Sequence, residues 1–171
     1  NLTFLALLES ATFTIKLTSM VFMILVGATA FSLVFKGLGG DSMIRDSLAG
    51  LESGKVVFLF LSMLLIFLMG FFLDFIEISF IVVPILMPIC NFLGIDPLWF
   101  GIMIAVNLQT SFLTPPFGFS IFYLKAVAPK TITTVDIYKG VAPFIGIQIL
   151  TMIVLVLFPE LVTWLPKILT K

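Results

Sequence analysis

The sequence predicts an all-α, polytopic integral membrane protein, and three observations carry that expectation. Of 171 residues, 61% are hydrophobic and 11% charged, with a mean hydropathy of +1.28; ordinary soluble domains run at roughly 25% charged. Apolar stretches recur at the length of about 20 residues that a membrane-spanning helix needs. Prolines and polar residues then fall inside two of those stretches instead of between them.

Taken in order, residues 17–35 form the first span, bracketed by Lys16 and Lys36, which can snorkel to the two interfaces. The preceding apolar stretch, 2–14, carries Glu9 and Ser10 and reads as a separate connecting or interfacial helix. Residues 37–54 hold Asp41, Arg45, Asp46 and Glu52, with Gly37, Gly39 and Gly40 as breakers, so they form an aqueous segment with a short amphipathic helix over SMIRDSLAGL. The runs 56–73 and 78–93 make a helical hairpin, 98–124 a broken helix after the turn Gly94-Ile95-Asp96-Pro97, and 141–158 the last span. A tail with Trp164, Lys167 and Lys171 follows. The organisation expected is therefore 1–55 (connecting helix, span and aqueous segment), 56–93 (hairpin), 94–124 (broken helix) and 125–171 (loop, span and tail). The chain starts with Asn and shows no signal-peptide pattern, which reads as a C-terminal fragment or as one chain of a clipped or split protein.

Several function classes are excluded. A net charge of zero argues against a nucleic-acid partner, and the absence of His removes imidazole bases and His-ligated metals. The single Cys90 can form neither an internal disulfide nor a thiolate cluster, and no Ser/His/Asp or Cys/His set can be assembled, so an enzyme is not expected. Basic residues divide four against five between the two sides and do not fix the orientation.

Two places carry chemistry. The hairpin tip sets Asp74 and Glu77 among Phe, Leu and Ile, and its returning arm has Pro84 and Pro88 on one helical face. That composition suits either a re-entrant tip facing a cavity at membrane depth or a plain hairpin with solvated carboxylates at the headgroups. In the broken helix, Asn107, Gln109, Thr110, Ser111, Thr114, Pro115, Pro116 and Gly118 cluster within twelve residues. Adjacent prolines remove two donors, and Pro115 disfavours the helical region for Thr114, so one half-helix ends near Leu113 and another starts near Phe117. A break at mid-membrane offers carbonyls, hydroxyls and Asp74 to a hard cation such as Na⁺, and the restarting helix offers its positive end to an anion. The simpler alternative is a structural proline kink with its hydroxyls satisfied by the preceding turn.

The segments GATAF (27–31), MGFFLDFIEISFIVVPILMPI (69–89), GIDPLWFGIMIAVNLQTSFLTPPFG (94–118) and PELVTWLP (159–166) together resemble, in order, the C-terminal half of the large membrane subunit of TRAP transporters, the tripartite ATP-independent periplasmic transporters. The resemblance covers essentially the whole chain. It implies a Na⁺-coupled elevator-type transporter half in the bacterial inner membrane, with a re-entrant hairpin and a discontinuous helix, carrying a small anionic organic acid. It also implies a small membrane subunit, a periplasmic substrate-binding protein and the N-terminal half of the same large subunit as partners, all within a lipid bilayer. By the same resemblance Gly70, Asp74, Asn107, Thr110 and Thr114 would hold Na⁺, and Ser111, Thr114 and Pro115 would contact substrate; residues 36–55 and the C-terminus would face the periplasm. Phe75 departs from the family pattern, in which proline is frequent after the Asp. Arg45 is the only arginine and lies in the aqueous segment, so a guanidinium that recognises the anion must come from elsewhere. A stand-alone Na⁺ or H⁺ symporter of related fold and a non-transporting scaffold subunit stay open as alternatives.

Overall fold

A computed structural model describes residues 3–49, 53–115, 118–129 and 131–169, and within them every regular element is a helix. α1 (Phe4–Gly37) runs unbroken for 34 residues, about 51 Å at 1.5 Å per residue. It joins the expected connecting helix and first span into one rod. Glu9 and Ser10 do not break it because no Gly or Pro intervenes, and Thr12 and Thr14 turn their hydroxyls onto the carbonyls of Leu8 and Ser10. α2 (Gly40–Ala49) is the short amphipathic helix of the aqueous segment.

α3 (Gly54–Met69) is the outgoing arm of the hairpin. After the tip the chain re-enters helix at α4 (Phe75–Glu77), passes through a π-helical turn (Ile78–Val82) and continues as α5 (Val83–Phe92). The π turn lies just before Pro84, which cannot donate to the Phe80 carbonyl; the amide of Val83 reaches back to Ile78 instead. α6 (Pro97–Leu113) starts sharply because the Asp96 carboxylate accepts from the amides of Leu98 (2.9 Å) and Trp99 (3.4 Å) and Pro97 needs no partner. α7 (Phe119–Val127) resumes after the double proline. α8 (Thr134–Leu157) opens with a reciprocal Thr133–Asp136 capping box, and α9 (Glu160–Leu169) follows Pro159.

Among the described residues three helical stretches are long and apolar enough to cross a membrane: Phe4–Gly37, Phe75–Phe92 and Thr134–Leu157. α3 and α6 are apolar but shorter. The core lies between the hairpin and α6, where Ile66, Ile78, Ile89, Cys90 and Phe100 are fully buried. α6 is the hub: it packs against α3 on one side and α8 on another, and the rings of Phe58 and Phe100 lie 5.6 Å apart, tilted by 31°. α1, by contrast, buries only Ala28 among the described residues.

Candidate functional site

Lipid tails are as apolar as leucine, so packing and interhelical hydrogen bonds hold membrane helices together in place of a hydrophobic driving force. The α3–α6 seam has both. Asn107 Nδ2 donates to the Met63 carbonyl at 2.7 Å, and Ser111 Oγ donates to the Phe67 carbonyl at 2.8 Å. Each bond crosses 44 residues of sequence, so α3 and α6 run parallel in one register with their C-terminal ends side by side. At the top of the seam Gly70 lets the two backbones meet. A Cβ there would come within 2.9 Å of Ser111 Cβ and closer still to its hydroxyl.

This contact fixes the depth of the hairpin tip. Ser111 lies fourteen residues beyond Pro97, about 21 Å along α6. Beyond the break α7 adds nine residues, about 13 Å, and α8 packs alongside both halves. The hairpin therefore turns back level with the break, part-way along the bundle, with Phe72 and Phe75 of its tip exposed.

The break itself follows the sequence expectation. α6 ends at Leu113, and Thr114 is extended (φ −86, ψ 127), as the following Pro115 dictates. Pro115 is half-buried in the turn, while residues 116 and 117 lie outside the described residues. Gly118 caps α7 where a Cβ would meet the Phe112 backbone, its carbonyl carbon only 3.0 Å away, so the restarting helix passes tightly against the last turn of α6. The restart falls two residues later than the sequence suggests.

The predicted site residues fall into three groups. Asn107, Thr110 and Thr114 line an open, mostly apolar cavity of about 360 Å³ flanked by α3 (Met63, Phe67) and α8 (Ile145, Met152). Thr110 Oγ1 donates to the Val106 carbonyl at 2.8 Å and Thr114 Oγ1 to the Thr110 carbonyl at 2.7 Å, so both hydroxyl hydrogens are committed within the helix. That arrangement fits a kinked helix, and it also leaves hydroxyl lone pairs for a cation, which needs acceptors only. At this volume the cavity has room for several waters beside an ion. Ser111 and Gly70 form the second group and are taken up by the seam: Ser111 is fully buried with its proton on Phe67. Asp74 stands apart. Its carboxylate accepts from the amide of Phe75 at 2.7 Å, capping α4, and it does not line the Asn107 cavity.

A second cavity of about 470 Å³ lies on the opposite face of α6, between Phe75, Ser79 and Val83 of the returning arm and Gly101, Ala105 and Gln109 of α6. Ser79 and Gln109 are its polar groups, and neither is among the predicted site residues. The signal was available. Gln109 lies two residues, about 200° of helix, from Asn107 and must face away from it; Ser79 is the one hydroxyl in the apolar run 78–83.

Trp99 ties the far end of α6 to α8, its Nε1 donating to the Leu155 carbonyl at 2.8 Å. Among the described residues no three His, Cys, Asp or Glu side chains cluster. The oxygens around the break are thus neutral hydroxyl, amide and main-chain groups, which suit a monovalent hard cation better than a transition metal.

Apolar helices of membrane length, a helical hairpin and a helix broken beside its tip, with Asn107, Thr110 and Ser111 buried at the seam, define a multi-pass membrane protein. Over residues 1–161 the chain matches the family described as "Tripartite ATP-independent periplasmic transporter, DctM component". It is 31% identical to the sialic acid TRAP transporter permease protein SiaT of Haemophilus influenzae (strain 86-028NP), over 86% of this chain and 25% of that protein. It is 32% identical to the C4-dicarboxylate TRAP transporter large permease protein DctM of Vibrio cholerae, over 90% of this chain and 34% of that protein. A third relative, the isethionate TRAP transporter permease protein DctMQ of Oleidesulfovibrio alaskensis, is 29% identical over 84% of this chain and 22% of that protein. The chain belongs to the DctM family of TRAP transporter membrane components, and it spans about a third or less of the length of these relatives.

Proposed function

We propose that this chain is part of the large membrane subunit of a Na⁺-coupled secondary transporter that moves a small organic acid across the bacterial inner membrane. In this reading it works with a small membrane subunit, a periplasmic substrate-binding protein and the rest of the large subunit, and bond chemistry plays no part. The observation that carries the reading is the meeting of the hairpin tip with the helix break, beside a cavity lined by Asn107, Thr110 and Thr114. A hard, weakly bound cation needs several neutral oxygens at a place sheltered from water, and the end of a half-helix supplies them. The relatives' names support the substrate class: sialic acid, C4-dicarboxylates and isethionate are all small organic acids.

The seam gives the proposal a mechanical content. Because Asn107 and Ser111 fasten α6 to the main chain of α3, the outgoing arm of the hairpin and the first half of the broken helix move as one body, as an elevator-type displacement requires. Gly70 and Ser111 are then positioning residues, with cation contact left to Asn107, Thr110 and Thr114. Asp74 joins them only through a rearrangement of the tip.

The test is uptake of a radiolabelled organic acid by the full-length transporter in proteoliposomes, with its binding protein supplied outside. Replacing external Na⁺ by choline is expected to abolish accumulation. Equal accumulation in the two media would remove Na⁺ coupling, and uptake without the binding protein would favour a stand-alone symporter.

A further inference from the structure

α9 presents three different edges. Leu161, Trp164, Leu165 and Ile168 fall within about 100° of arc and are 52–64% exposed. Val162 and Thr163 form a second edge turned to the protein: Thr163 is 4% exposed, and Val162 packs on the core beside α6. Glu160 and Lys167 lie on the third edge, where the Lys167 ammonium donates to Thr163 Oγ1 at 3.3 Å. A surface helix in water would turn its apolar edge inward; this one buries a hydroxyl and shows a tryptophan and three large aliphatic side chains.

The position of α9 explains the inversion. It follows Pro159 directly after α8, a 24-residue apolar span about 36 Å long, enough to cross the hydrocarbon core of about 30 Å. Ile153, Val156 and Leu157 near the end of α8 are exposed, as are Phe158 at its cap and Leu161 and Trp164 beyond it. Protein on one edge, an apolar phase on the second and charged groups on the third is the pattern of a helix lying at the boundary of bilayer and water.

We infer that α9 is a membrane-surface anchor, its Leu161–Trp164–Leu165–Ile168 edge sunk among the lipid headgroups and upper acyl chains. Because Trp99 bonds to the last turn of α8, and Val162 packs by α6, the anchor sets the height of the N-terminal end of α6 in the bilayer. This holds for any multi-pass protein with this fold and does not depend on the coupling ion.

The test uses the unmodified full-length protein in vesicles of phosphatidylethanolamine and phosphatidylglycerol. Two photoreactive phosphatidylcholines are compared, one with a diazirine next to the acyl carbonyl and one with it at the chain end. Adducts are mapped by peptide mass spectrometry. The expected result is at least fivefold more labelling of Leu161, Trp164, Leu165 and Ile168 by the headgroup-proximal probe than by the chain-end probe. Phe144, Ile147 and Leu150 of α8 serve as the internal reference for deep labelling. Labelling of the α9 edge by neither probe would overturn the inference, because water or another protein segment would then cover it. Predominant labelling by the chain-end probe would equally overturn it, showing a helix inserted at depth.

Discussion

Gly70→Ala is the sharpest perturbation of the seam. The new methyl carbon would stand 2.9 Å from Ser111 Cβ and nearer to Ser111 Oγ, inside any real van der Waals contact. Ser111 is fully buried between two helices and cannot swing away. The tip must therefore lift off α6, and the Ser111–Phe67 bond of 2.8 Å lengthens or breaks. Overpacking of this kind costs about 1–3 kcal/mol, and a lost interhelical hydrogen bond in a membrane protein adds about 0.6 kcal/mol. Thermal unfolding of the full-length protein in detergent measures the effect as a lowered midpoint. Ser111→Gly removes the obstructing atoms, at a helix-propensity cost of about 0.5–1 kcal/mol on its own. The double variant should then lose less stability than the sum of the singles, with a coupling of at least about 1 kcal/mol. A neutral Gly70→Ala, or additive single effects, would refute the close approach on which the depth of the tip rests.

Other expectations follow from the same geometry. Asn107→Ala removes the interhelical bond to the Met63 carbonyl, which keeps its partner within α3, and should cost about 0.6 kcal/mol and at most about 1.7 kcal/mol, read as a lower unfolding midpoint and faster hydrogen exchange in α3. Trp99→Phe removes the donor to Leu155 while keeping most of the ring; a loss of about 1 kcal/mol is expected, with the disturbance confined to the ends of α6, α8 and α9 by limited proteolysis. Asp74→Asn retains an oxygen to cap α4, since Asn and Asp are equivalent N-caps, so the unfolding midpoint should stay within a degree or two of wild type. If the tip closes over the ion during transport, the same variant weakens the Na⁺ dependence of uptake; an unchanged dependence would confine Asp74 to capping.

Hydropathy made most of the architecture legible. The run lengths gave the spans and hairpin, the Gly94–Pro97 turn placed the start of α6, and the double proline placed its end at Leu113. The break could be read because two adjacent prolines remove successive donors and Pro115 disfavours the helical region for Thr114, whereas the isolated Pro88, Pro143 and Pro166 stay inside helices. The continuity of α1 was not legible, since a Glu-Ser pair resembles a boundary in a hydropathy profile although both residues are tolerated within a helix. Nor was the π turn, because a missing donor at Pro84 can be answered by a kink, a water or a shifted register. Within the site the helical period was informative: Asn107, Thr110, Ser111 and Thr114 share about 100° of arc. What the sequence could not divide was which of them faces a cavity and which a neighbouring backbone. That depends on the register of α3 against α6, set by Gly70 and by two side-chain bonds spanning 44 residues. The role of Asp74 was hidden for a related reason, as a carboxylate at a turn can ligate an ion or cap the next helix, and only the backbone path decides.

The central claim is that the Asn107–Thr110–Thr114 cavity holds the coupling cation. Its most direct test is a Na⁺ titration of the purified full-length protein by isothermal calorimetry, comparing wild type with Thr114→Val. Valine keeps the shape of the side chain and removes its oxygen from the cavity; the Thr110 carbonyl, which accepts from the Thr114 hydroxyl while the Thr114 amide turns to Ser111, loses that bond as well. The expected result is a tenfold or greater loss of Na⁺ affinity in a protein that still unfolds cooperatively and is destabilised by no more than about 1 kcal/mol, the loss of one hydrogen bond. Wild-type Na⁺ affinity in a correctly folded Thr114→Val protein would contradict the assignment.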